Sequence, residues 1–180
     1  MKKLLCVLLA ALMLLSLCAC GMLDSSDKEE EDSYMQPLDD FMDYITGDAT
    51  LKTIQRMMPD EAWEYREEEH DLTPDYIWEV YQENRAGVVE GDEEEFGPNL
   101  KYHYEVVDDR KLDKDELEDL KEELEYYGID PDDVKEAYEV DFEATISGDY
   151  DEETAENTYT VVKIGKTWYM FDIIDGYLGF

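Results

Sequence analysis

The sequence predicts an α+β fold: N-terminal helices packed on an antiparallel sheet of about four strands, with one acidic helix among the strands. Three observations carry this prediction. Apolar residues recur at helical spacing from Leu38 to Val88. At Asn99 the period changes to two, and Leu100, Tyr102, Tyr104 and Val106 alternate with polar neighbours. The last third alternates again on both sides of a Gly165-Lys166 turn.

The chain opens with a leader. Lys2 and Lys3 precede a run from Leu4 to Leu17 that is apolar except at Ser16, and small residues follow. Leu17-Cys18-Ala19-Cys20 resembles a bacterial lipobox, departing from the commonest pattern only at Cys18. That resemblance implies cleavage between Ala19 and Cys20 and a diacylglycerol, with palmitate-type chains, coupled to the Cys20 thiol. An uncleaved anchor is the alternative, since Leu4 to Leu23 carries no charge and is about long enough to span a bilayer. Either way the expected location is the extracytoplasmic face of the cell membrane. The three cysteines, Cys6, Cys18 and Cys20, all lie here, so a chain cut before Cys20 forms no internal disulfide. The expected organisation is a signal peptide over 1–19, an acidic tether over 20–34 and a single domain over 35–180. In the tether, Asp24 to Ser33 has no apolar residue, and its like charges keep it extended.

The helices follow in order. Pro37 suits a first turn, Leu38, Phe41, Met42 and Ile45 share a face, and Gly47 stops the run. Leu51, Ile54 and Met58 repeat the pattern as far as Pro59. Ala62, Trp63 and Tyr65 form a short third helix that fades at Arg66 to His70. Thr73 caps a fourth, with Pro74 and Asp75 in its first turn and Ile77, Trp78, Tyr81 and Val88 along one side. After the first strand, Asp113 and Glu116 make a capping box, Leu112 and Leu117 staple it, and Leu117, Leu120 and Leu124 leave a narrow apolar stripe ending at Gly128. So narrow a stripe predicts a helix on the outside of the domain. Strands are expected from Tyr138 to Ile146, from Tyr159 to Ile164 and from Thr167 to Ile174, with Gly148 to Thr154 as an acidic connection.

This order of elements, ending in Val161-Val162-Lys163-Ile164-Gly165-Lys166-Thr167-Trp168-Tyr169, resembles the nuclear-transport-factor-2-like (cystatin-like) cone of small bacterial lipoproteins. The resemblance covers roughly Pro37 to Ile174. It implies a curved sheet with a concave face able to hold a ligand, and it makes the helix from Asp113 to Tyr127 an insertion. It implies no activity.

Charge and motifs narrow the function. With 50 Asp+Glu against 15 Lys+Arg, the net charge is −35. Nucleic acid is an improbable partner, because phosphate binding needs clustered cations. Disorder of the whole chain is excluded by 43% apolar and 12% aromatic residues. No nucleophile elbow, zinc helix, phosphate loop or dinucleotide fingerprint occurs. His70 sits among carboxylates and His103 on a wet strand face. The acids of Asp130 to Asp133 and Asp149 to Glu153 lack the glycine and distal glutamate of a helix–loop–helix calcium site. The expectation is a non-catalytic binding or assembly module with no cofactor and no metal. Its partner would be an unknown protein or small molecule, cationic or metal-bridged if it binds the surface. Trp78, Tyr81, Tyr102 and Trp168 are the candidate ligand-facing residues. The alternative is a small lyase or isomerase on the same fold, which would need an acid beside a tyrosine inside the cone.

Overall fold

The computed structural model describes residues 33–176. Helix α1 (Gln36–Thr46) buries Pro37, Leu38 and Met42 and ends at Gly47, whose φ of 87° closes the last turn. Helix α2 (Leu51–Arg56) starts at Thr50, whose hydroxyl accepts the Thr53 N–H at 3.1 Å while Thr53 Oγ1 accepts the Thr50 N–H. Helix α3 (Asp60–His70) buries Ala62, Trp63 and Arg66. It runs on through the charged stretch expected to be loop, because Arg66 turns inward and Asp71, at φ 57°, ends it. Helix α4 (Pro74–Phe96) begins with Thr73 accepting the Tyr76 N–H at 3.2 Å.

Strands β1 (Lys101–Lys111), β2 (Val134–Ser147), β3 (Glu152–Ile164) and β4 (Thr167–Met170) make one antiparallel sheet in the order β1-β2-β3-β4. Helix α5 (Lys114–Glu125) lies between β1 and β2, its capping box formed: Asp113 accepts the Asp115 and Glu116 N–H groups, and Glu116 accepts the Asp113 N–H at 2.8 Å. The Gly148 turn joins β2 and β3 into a long hairpin, so β3 starts at Glu152, inside the stretch from Gly148 to Thr154 expected as a connection, and β2 starts at Val134 rather than Tyr138.

The expected final strand needs correction. It stops at Met170, and Phe171–Asp175 is a short helix, α6. Met170, Ile173 and Ile174 are buried while Asp172 between them is exposed, the i, i+3, i+4 spacing of one helical face. Val88 also departs from expectation: it is 52% exposed, because α4 outlasts the core beneath it.

One sheet face carries Tyr104, Phe142, Tyr159 and Tyr138, and α1 covers it. Phe41 meets Tyr159 edge-on at 5.3 Å, and Tyr34 stacks on Tyr138 at 5.3 Å. Helix α5 inserts Leu120 and Leu124 into the same core from its narrow stripe. Arg66 Nη2 donates to the Ile174 carbonyl at 2.7 Å and the Gly176 carbonyl at 2.5 Å, tying α3 to the last described residues. Gly148 sits where a Cβ would lie 2.3 Å from the Phe96 carbonyl oxygen. Only glycine lets the β2–β3 turn rest on the end of α4.

Candidate functional site

An apolar concavity lies between the end of α1 and the middle of α4. Tyr44 and Tyr81 form its floor, and Trp78 backs Tyr81 from outside the lining. Trp78 stacks on Tyr81 with centroids 5.5 Å apart, and Tyr81 stacks on Tyr44 at 5.0 Å. Residues 78 and 81 are one turn apart on α4, so their rings share a face. Ile45, Val88 and Val89 make apolar walls around about 220 Å³ of space. Arg85 stands at the rim, its guanidinium so close over Gly47 that a Cβ there would meet Arg85 Nε at 2.3 Å. Its carboxylate partner, Asp48, is 3.8 Å away and largely exposed.

Tyr81 is only 7% exposed, and its buried hydroxyl makes no hydrogen bond. The Ala49 N–H faces it but donates to the Asp43 carbonyl at 2.8 Å. A buried phenol without a partner forfeits about 1–3 kcal/mol of solvation. Burial also raises the pKa of both phenols, Tyr44 to about 12. The groove therefore offers neutral aromatic faces, aliphatic walls and one guanidinium at the mouth.

The four residues anticipated from sequence do not converge. Only Tyr81 lines the groove; Trp78 stacks on it from behind. Tyr102 lies on β1, where its hydroxyl donates to Asp92 Oδ2 near the end of α4 at 2.7 Å. Trp168 is buried on β4 between Tyr34 and Tyr138, with Lys163 over its ring. Tyr44, Ile45 and Arg85 complete the groove without having been singled out. Helical period marked Ile45 only as a core position, and nothing local reveals that α4 crosses above it.

Tyrosine–carboxylate pairs recur elsewhere. Tyr104 donates to Asp39 and Tyr127 to Asp175, the latter at 2.6 Å, and each pairing together with burial raises the phenol pKa. Asp40, 3% exposed, is held by Arg56 Nη2 at 2.5 Å and by the Gln36 amide at 3.2 Å. The acidic loops are tied up locally: Asp130 accepts the Asp132 N–H, Asp149 the Asn99 amide and Asp151 the Glu152 N–H. Among the described residues no three His, Cys, Asp or Glu side chains converge as metal ligands. Cys20 and Ala19 lie outside the described residues. No family model, curated protein or solved structure matches this chain.

Proposed function

We propose that the protein is a lipid-anchored, non-catalytic binding module on the extracytoplasmic face of a membrane, tethered through Cys20. In this reading the domain is a variant of the cystatin-like cone, with α5 as its inserted helix. The observation that carries the binding role is the groove: an apolar hollow floored by Tyr44 and Tyr81, with a buried hydroxyl lacking a partner and a cation at its mouth. Its volume suits one aromatic or branched aliphatic group, such as a partner's side chain or the end of a small ligand. The non-catalytic reading is supported by the acids that meet tyrosines: each lies at a junction of elements and already accepts the phenol hydrogen. Asp40, the most buried acid, is neutralised by Arg56.

A photo-cross-linking residue placed at Val88 in intact cells tests the groove. An adduct from position 88 that disappears with Ile45→Arg, which fills the hollow with a charge, is the expected outcome. Capture from the outer face of α5, at Glu122, with none from position 88 would overturn the assignment. So would turnover of a small substrate abolished by a single Asp→Asn change.

A further inference from the structure

The outer edge of β3 is open. β4 pairs only with Val161 to Ile164, whereas β2 pairs with β3 all the way down to Glu152. The Thr160 N–H points away from β2, since it donates to Asp172 Oδ2 at 2.8 Å. Strand groups alternate sides, and the β2–β3 register is unbroken from Glu136 to Ser147. Thr158, Glu156 and Thr154 therefore also direct their N–H and C=O groups outward, with no partner among the described residues. Residues 152 to 156 are exposed throughout.

The charges beside this edge have one sign. Gly148 to Thr160 contains five acids and no lysine or arginine. Glu105 pairs with Glu143 on β2, and Glu143 with Glu156 on β3, so three glutamates stand in register across the sheet. Like charges directly opposite destabilise a sheet. The six ion pairs of the described residues all engage other carboxylates. The row ends at Glu156, beyond which no strand pairs with β3 among the described residues.

We infer that the β3 edge from Thr154 to Thr158 accepts, as an added strand, an extended segment of a partner protein with Lys or Arg at alternate positions. A cation opposite Glu156 ends the glutamate row, and the strand's backbone satisfies the outward N–H and C=O groups. A second copy of this chain does not fit, because edge-to-edge pairing would set these glutamates against one another. The chain's own segment from Asp24 to Ser33 carries the same sign of charge as this edge. This surface is separate from the groove and stands without it.

The test uses the full chain, isolated from membranes, and a short acetylated peptide of alternating threonine and lysine. Hydrogen exchange should slow at Thr154, Glu156 and Thr158, and binding should weaken with added salt. Thr154→Pro removes one outward N–H, and with it the Thr145–Thr154 hydroxyl contact, without touching the backbone ladder to β2 or any charge, and should weaken binding about tenfold or more. The same peptide methylated on alternate backbone nitrogens keeps its charge and should also bind about tenfold less tightly, whether or not the proline variant folds. Equal affinity of the methylated and unmethylated peptides would overturn the proposal in favour of diffuse charge attraction. So would protection spread over the whole acidic surface, or no binding of the unmethylated peptide at low salt.

Discussion

Tyr102 reaches from β1 to Asp92 through its hydroxyl alone, so Tyr102→Phe isolates one hydrogen bond. The variant should lose about 1 kcal/mol of stability, with faster hydrogen exchange confined to the second half of α4. An unchanged melting temperature would mean that the bond contributes nothing. Tyr44 offers a titration. Its phenol holds its proton to about 12 in the fold and gives it up near 10.0 when exposed. The folded chain therefore binds more protons across that interval, and stability should fall as pH climbs from about 10 towards about 12. Phenolate absorbance should lag behind that of a denatured sample; coincident curves would remove the claim. Arg66 is a different case, a guanidinium 8% exposed and bound to two carbonyls with its Nε unpartnered. Arg66→Met should destabilise the domain by about 2 kcal/mol and loosen residues 171–176 to protease.

Among the elements, α4 divides into two halves. Up to Tyr81 it is anchored by Ile77 and Tyr81, but beyond that only Phe96 is buried. Gly91 has open space around it, so Gly91→Ala should stabilise this half by about 0.5–1 kcal/mol. Gly148→Ala should act in the opposite direction, by about 1–3 kcal/mol, since its methyl would strike the Phe96 and Gly97 carbonyls. Urea denaturation of the two variants checks both signs. The elements were legible in sequence wherever a local device marks them: Pro37 and Gly47 around α1, Thr73 before α4, Asp113 and Glu116 before α5, and the Gly165-Lys166 turn. They were less legible where tertiary contacts decide. β3 extends back to Glu152 because β2 lies beside it, not because Glu152 and Glu153 favour strands. α6 forms because the core takes Met170, Ile173 and Ile174 from one helical face. The groove was only partly visible for the same reason: Tyr81 is marked by its place on one helix, while its contact with Tyr44 depends on where α1 crosses.

For the whole molecule the dominant fact is a net charge of −35. Repulsion within the fold is screened over about 10 Å at 0.1 M salt, so the melting temperature should rise from low to physiological salt. A flat or falling response would show that repulsion is a minor effect. Acid should act in the same direction at first. Burial, with Asp40 and Asp48 nearby, raises the Asp43 pKa, and burial raises that of Asp172. Each carboxyl binds its proton more readily in the folded chain, so stability grows as pH falls from neutral into the interval just above the ordinary carboxylate range. The gain is exhausted further down, where Glu116, held low mainly by Arg110, is protonated and its ion pair is lost. For the proposed anchor, Cys20→Ser should abolish labelling by a fatty acid and leave the leader attached. A wild-type chain that takes up no label would remove the lipid from the account.

Tyr34 packs on Trp168, Tyr127 donates to Asp175, and Arg66 grips the carbonyls of Ile174 and Gly176. Early residues thus share partners with late ones. In a chain emerging from the ribosome, or drawn through a pore, N-terminus first, Tyr34 and Phe41 could meet Tyr138 and Tyr159 before Trp168 and Ile174 arrive to finish the packing. A copy truncated before Trp168 would lose the ring that Tyr34 and Tyr138 pack on and the carbonyls that Arg66 holds, and should be cut faster by protease.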